Sequence, residues 1–312
     1  MQTTIVTSCN RRYLWGAILL IASIRQSGGR YPIHVWATDL NASERALLRQ
    51  FQNVRVYAAA SAHPHLVKPD AMLNVTTEYA TWIDCDCMFF GHLDDLLLPE
   101  EDGIQIRLRG ARENAMVFGK HYGRQDNIGS TPADILCQWK RDVNERDEPR
   151  FETQCVSNFI TVHRKHFGLL HRWKDQLEQI AIDPSHPVDA NSKAYFMTDE
   201  SVLASLLMFA HEVPSISLYR LDERTSQRLI HFGQQLKPWK IWRYKHLRHY
   251  RHVTKTIQAL KIEGYQLPDI PTSLNPRFKL RTFAHSIALS TWHSVKHKAR
   301  LSLIPFGLFA QH

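Results

Sequence analysis

The first sixty residues alternate extended and helical patterns, and this alternation narrows the possible folds more than anything else in the chain. Thr3 to Thr7 is a short β-branched run, and Ser8-Cys9-Asn10 reads as a turn or helix cap after it. Tyr13, Ala17, Leu20, Ile21 and Ile24 then recur at three- and four-residue spacing, an amphipathic helix stopped by Gly28-Gly29. Tyr31 to Thr38 is a second strand, Ala42 to Phe51 a helix opened by Asn41, and Val54 to Ala58 a third strand. Strands and helices alternating through short connections imply a parallel sheet with right-handed crossovers, a doubly wound α/β fold. A dinucleotide site of the Rossmann type would need GxGxxG after the first strand, and none is there.

The stretch Glu78 to Leu98 carries the chemistry. Tyr79 to Ile83 is an apolar, aromatic and β-branched run that ends at Asp84-Cys85-Asp86, and Met88-Phe89-Phe90 follows, stopped by Gly91. Two carboxylates at the exit of a buried strand are costly unless something positive binds them. Their oxygens are hard ligands of the kind Mg²⁺ or Mn²⁺ shares with substrate phosphates. In open α/β sheets, ligands lie outside the carboxyl ends of the strands, where this pair would sit. The competing reading is a surface turn with two solvated aspartates, which the apolar flanks oppose.

Strand, Asp-x-Asp, apolar run and then Gly91-His92-Leu93-Asp94-Asp95-Leu96 resembles the metal motif of the GT-A glycosyltransferases. The likeness is greatest to glycosyltransferase family 8, the glycogenin and galactosyltransferase group. That resemblance implies a GT-A, Rossmann-like nucleotide-diphospho-sugar transferase fold with a mostly parallel sheet flanked by helices. The family's opening motif is matched by Thr7, Asn10, Tyr13 and Gly16-Ala17, which implies that Thr7, Cys9, Asn10 and Tyr13 face the nucleotide. Taken alone, Tyr13 reads more readily as core. Lys68 stands sixteen residues ahead of Asp84, a separation at which the family places a donor-binding lysine; without that spacing it reads as a solvated lysine. Around Cys155 to Val162, a further strand, the family has Asn-Ser-Gly; here Val156-Ser157-Asn158 keeps only the serine as a donor contact.

Two more pieces follow in family order. Asp199-Glu200 heads a helix, where acids suit the helix dipole. The family has an Asp-Gln pair at this place, near the anomeric carbon, so the likeness makes Asp199 and Glu200 catalytic candidates. Plain helix capping is the competing reading. The segment His231-Phe232-Gly233-Gln234-Gln235-Leu236-Lys237-Pro238-Trp239 resembles the family's His-x-x-Gly-x-x-Lys-Pro-Trp, with the glycine one residue early. His231 is thereby implied as a third metal ligand with Asp84 and Asp86. Cys85, Gly233 and Lys237 are implied as donor contacts, Lys237 as a point charge on the diphosphate.

Composition bounds the rest. The 312 residues, 44% hydrophobic and 22% charged, describe a globular chain of roughly two domains. The start lacks the basic and apolar regions of a signal peptide, and five cysteines without framework spacing suit a reducing compartment, so a cytoplasmic location is expected. Residues 240–312 hold 13 Lys/Arg against 2 Asp/Glu, whereas residues 1–239 hold 26 against 28. A catalytic domain over 1–240 and a basic, aromatic, helical tail over 241–312 are expected, with 266–277 as a proline-punctuated linker. In the tail, Phe283, Ile287, Trp292, Val295 and Ala299 are read as one face of a last helix, and the histidines at 246, 249 and 252 as a wet basic face. Basic charge mixed with aromatic and aliphatic residues suits an anionic membrane surface, the inner face for a cytoplasmic enzyme. A structural lid or oligomer contact stays open, and no nucleic-acid-binding motif accompanies the charge. Residues 100–153 read equally as an acceptor-side flap or as surface elaboration.

The expectation is therefore a hexosyltransferase. It would move a hexose from a UDP-sugar to a saccharide acceptor, on a glycolipid or lipopolysaccharide precursor, with Mn²⁺ or Mg²⁺ as cofactor. Retention at the anomeric carbon is what the family likeness implies. A nucleotidyltransferase and a catalytically silent nucleotide-sugar-binding protein of the same fold are the alternatives.

Overall fold

The structure is a computed structural model that describes residues 3–59, 64–92, 97, 103–122, 129–180, 194–218, 228–233 and 236–303. The strands among the described residues are β1 (Thr3–Cys9), β2 (Ile33–Ala37), β3 (Val54–Ala58), β4 (Tyr79–Ile83), β5 (Cys87–Phe89), β6 (Ile104–Leu108), β7 (Cys155–His163), β8 (Ile216–Leu218) and β9 (Leu229–His231). The main helices are α1 (Leu14–Gln26), α2 (Ala42–Arg49), α3 (Pro64–Leu73), α4 (Ala111–Tyr122) and α5 (Ala133–Val143). Further along come α6 (Phe167–Ile180), α7 (Asp199–Phe209), α8 (Tyr250–Ile262) and α9 (Lys279–Leu303). Leu93 to Leu96 of the aspartate motif lie outside the described residues, as do Gln234, Gln235 and the chain from 304 on.

Seven strands form one sheet in the order β3-β2-β1-β4-β7-β6-β8. The sheet is mixed and mostly parallel: β7 alone runs against its neighbours β4 and β6. Alternation along each strand sorts side chains to two faces. Ile5 and Ile83 join α1 and α8 in one hydrophobic cluster, while Val6 and Trp82 join α3, α6 and α7 in the other. Across the sheet centre, Thr81 Oγ1 lies 2.9 Å from Thr3 Oγ1 and 3.0 Å from Thr161 Oγ1, so buried hydroxyls satisfy one another along β1, β4 and β7.

Several local features differ from expectation. β1 runs on to Cys9, because Ser8 and Cys9 still pair with Trp36 and Ala37 of β2. The helix α1 is not amphipathic in place: every residue from Leu14 to Ile24 is buried. Its outer side is covered by α8 and β5, which local periodicity does not reveal. Ser23 in its middle donates to the Leu20 carbonyl at 2.8 Å and accepts from Phe89 N at 3.0 Å, fixing β5 against the helix.

Residues beyond 241 supply much of that cover. Trp242 is 1% exposed, donates from Nε1 to the Ser273 carbonyl at 2.8 Å, and meets the rings of Phe232 and Tyr250. Val253, Ile257, Leu260 and Leu274 belong to the same cluster as β1 and α1. The segment expected as a linker is held down: Gln50 exchanges two hydrogen bonds with Gln266, at 2.7 and 2.9 Å, and Trp15 Nε1 donates to the Asp269 carbonyl at 3.2 Å. Nor do the three histidines form one wet face. His246 is buried edge-on to Phe232 and His249 stacks on Phe90, whereas His252 stays exposed. On α9, Phe283 packs on Tyr250 while Trp292 is 63% exposed. Nine residues are about two and a half helical turns, so these two cannot share a face.

Trp242→Ala should lower the unfolding free energy by about 3–5 kcal/mol, the range for a truncated core aromatic. Trp292→Ala should leave the urea midpoint almost unchanged; a midpoint equally unchanged in Trp242→Ala would show that this part of the tail adds nothing to the core. A pH dependence follows from His246. Burial first, then the charges of Lys245 and Arg243, push its pKa down to about 3. The unfolded chain takes up that proton near pH 6.5 and the folded chain does not, so stability is lost as pH falls below about 6.5. Urea midpoints measured from pH 7.5 down to 5 should decline, and His246→Phe should make the decline shallower.

Candidate active site

The two aspartates sit on the turn from β4 into β5, just beyond the carboxyl end of β4. Cys87 N donates to the Asp84 carbonyl at 2.9 Å, and Asp84 N donates to the Asn158 carbonyl of β7, also at 2.9 Å. The helix α1 comes close beneath this turn. A Cβ on Gly16 would stand 2.6 Å from the Cys85 carbonyl oxygen and 2.6 Å from the Trp239 ring, so only glycine admits the approach.

Lys68 is 5% exposed and serves the first aspartate. Its Nζ lies 3.2 Å from Asp84 Oδ1 and 2.7 Å from Asp199 Oδ2, and donates to Ser157 Oγ at 2.9 Å. Burial by itself would push this ammonium's pKa down; Asp199 and Asp84 outweigh it, so the pKa is raised and Lys68 stays charged. Ser157 Oγ donates in turn to Asp199 Oδ2 at 2.9 Å, and Trp82 Nε1 donates to Asp84 Oδ1 at 2.8 Å.

The second aspartate is served by the segment after β9. Antiparallel pairing puts His231 opposite Cys87, and His231 Nε2 comes 3.3 Å from Asp86 Oδ1 and 4.0 Å from Asp84 Oδ2. Lys237 Nζ donates to Asp86 Oδ2 and, at 3.0 Å, to the Phe232 carbonyl, and lies 5.4 Å from the centre of the Tyr13 ring. Burial would raise the Asp86 pKa, but His231 and Lys237 hold it well below the usual carboxylate range. Gly233 matters for shape: a Cβ there would be 2.9 Å from the His231 ring.

Among the described residues, the ligand atoms of Asp86, Cys87 and His231 lie within 4.8 Å of one another, and Asp84 Oδ2 stands 4.0 Å from the same imidazole. Burial pushes the Cys87 thiol pKa well up, so it stays protonated and a poor match for a hard cation. Asp84 Oδ2 is the better third donor on chemical grounds.

Asp199 and Glu200 open α7 behind a strained residue, Thr198, which holds φ 49° and ψ −111°. Both acids are buried, and both are engaged. Glu200 accepts from Ser157 N at 3.1 Å and from Arg109 Nη2, while Arg109 Nη1 donates to Glu113 at 3.0 Å. Burial would lower the Arg109 pKa, yet Glu200 and Glu113 raise it. Sequence reading missed Arg109. A carboxylate standing where the family carries an amide was the available signal, since a buried extra charge needs a partner. Thr7 is buried within β1 and Asn10, just past its end, is half-buried; Thr7 Oγ1 and Asn10 Oδ1 have no hydrogen-bond partner among the described residues. Cys9 turns its thiol into the core, where burial, Asp39 and Glu44 push its pKa up to about 12.

No family profile and no curated protein matches the chain at sequence level. Solved structures do match. The bifunctional glycosyltransferase WbbM superimposes with a TM-score of 0.50 at 13% identity, over 77% of this chain and 47% of that one. The glycosyltransferase GlyE of Streptococcus pneumoniae TIGR4 matches with a TM-score of 0.50 at 12% identity, over 86% of this chain and 65% of that one. The galactosyltransferase LgtC, solved with donor and acceptor sugar analogs, gives 0.45 at 12% identity, over 76% and 89%. The chain thus spans about half of WbbM and just under two thirds of GlyE. It has the fold of the GT-A glycosyltransferases, a mixed α/β sheet flanked by helices.

The Arg109–Glu200 pair can be tested by a double-mutant cycle. Arg109→Leu leaves Glu200 buried and unpaired and should cost about 3–5 kcal/mol. Arg109→Leu with Glu200→Gln should cost clearly less than the single change in urea unfolding. Additive losses would mean the two side chains are not coupled.

Proposed function

We propose that the chain is a metal-dependent glycosyltransferase that moves a hexose from a UDP-sugar to a saccharide acceptor. The observation that best supports this reading is the convergence of Asp84, Asp86, His231 and Lys237 beside the Tyr13 ring, at the carboxyl edge of a GT-A sheet. Asp84, Asp86 and His231 would hold Mn²⁺ or Mg²⁺, which when bound supplies positive charge against the diphosphate as it leaves. Lys237 adds a second, fixed charge at the same place. Thr7 Oγ1 and Asn10 Oδ1, unpartnered at the end of β1, are polar atoms for the nucleoside to satisfy, and the Tyr13 ring gives its base a surface to lie on. Asp199 and Glu200 are oriented by Lys68, Ser157 and Arg109, toward the sugar in this reading. Retention at the reacting carbon rests on family likeness. No described helix is long and apolar enough to cross a membrane. Exposed Leu280, Ile287, Trp292 and Val295 stand on α9 among Lys279, Arg281 and Lys296, which favours contact with an anionic membrane surface and hence a lipid-linked acceptor.

UDP release from a panel of UDP-sugars tests the reading. One donor should turn over slowly with Mn²⁺, with activity lost on EDTA and reduced at least about a hundredfold in Asp86→Asn. Turnover indifferent to EDTA would remove the metal from the proposal, and a chain that binds no UDP would remove the nucleotide-sugar.

A further inference from the structure

A cavity of about 390 Å³ opens beside His231 and Asn158, the residues that flank the aspartate turn. Its walls include none of Thr7, Asn10, Tyr13 or Lys237, so it lies beyond the residues assigned to the nucleotide. Glu113 is the acidic residue among the described lining, and both of its oxygens are taken. Arg107 donates to them at 2.5 and 2.9 Å, and Arg109 donates at 3.0 Å. Arg109 continues to Glu200, so Arg107, Glu113, Arg109 and Glu200 form a chain of alternating charge that balances itself and links the cavity to the candidate catalytic acids.

Two further cations stand on the wall: Lys245 and Arg248 are exposed, and neither forms an ion pair with a carboxylate among the described residues, Glu113 acting on Lys245 only from a distance. Arg248 is aimed by its bond from Nε to His249 Nε2, 2.8 Å long, and its terminal nitrogens have no partner among the described residues. Lost solvation, and then Arg243 and Arg248 beside it, push the Lys245 pKa down, and Glu113 offsets them only in part. A hollow of this volume next to the candidate catalytic groups, carrying two cations without a close carboxylate among the described residues, suits a ligand with negative charge.

We infer that this cavity receives the acceptor, and that the acceptor is an anionic saccharide bearing a phosphate or carboxylate read by Lys245 and Arg248. The inference rests on the glycosyl-transfer reading of the same site and narrows its substrate class. The bland alternative is that these two cations belong to the basic surface that faces a membrane.

Calorimetric titration of the full chain, with UDP and Mg²⁺ present, separates these. The probes are glucose, glucose 6-phosphate and glucuronic acid, each at low and moderate salt, and vesicles containing phosphatidylglycerol. Wild type should bind glucose 6-phosphate or glucuronic acid at least about tenfold more tightly than glucose, with the preference shrinking as salt rises. Lys245→Ala with Arg248→Ala, both exposed positions, should abolish the preference. Equal binding of charged and neutral sugars by wild type, or a preference that survives the double change, overturns the inference. Vesicle binding lost in the double variant, without any preference for the charged sugars in wild type, also overturns it and assigns the cations to the membrane. UDP affinity of the wild type is read separately: its absence counts against glycosyl transfer itself, not against the charge of the acceptor.

Discussion

The ammonium of Lys68 is solvated by protein in place of water. Asp199 at 2.7 Å, Ser157 Oγ at 2.9 Å, and the Ser157 carbonyl and Asp84 Oδ1 at 3.2 Å stand where its hydration shell would be. Removing a charge from water costs several kcal/mol, so the elements carrying those ligands must converge for the lysine to be buried at all. They are α3, the start of β7, the head of α7 and the end of β4. The same set explains why carboxylates are tolerated at the exit of a buried strand and in the first turn of a buried helix.

A second lysine repeats the solution on the other side of the aspartate turn. Lys237 serves Asp86, and the short β5–β9 ribbon brings His231 to the same carboxylate. Side chains pack this closely only because backbone does too. Gly16 lets α1 reach the Cys85 carbonyl, and Gly233 leaves room for the imidazole. The tail then roofs the assembly, with Trp242 under Phe232 and α8 over α1. Residues far beyond the aspartates in sequence thus help set the shape of the site.

Much of this was legible in the residues. The alternating opening, the strand ending in Asp-x-Asp and the helix opened by Asn41 all rest on local preference and short-range periodicity, which act before tertiary contacts form. The candidate residues Lys68, Asp84, Asp86, His231 and Lys237 were picked out by family spacing, and they do come together. Arg109 was invisible because its role depends on a partner 91 residues away. His246 looked like a surface histidine because nothing nearby in sequence announces that Phe232 and Lys245 will bury and discharge it.

By itself, then, the sequence determined the order of strands and helices over the first sixty residues, the place of the carboxylate pair at a strand exit, and the concentration of basic charge after residue 240. These follow from side-chain pattern, which is fixed residue by residue. Tertiary structure decided which side chains are neutral, charged or paired, that α1 is buried on all sides, and that Trp242, Val253, Ile257, Leu260 and Leu274 join its core cluster. It decided them because burial and Coulomb energy depend on distance in space, and the chain brings residue 68 to 199, and 86 to 237, only once it has folded.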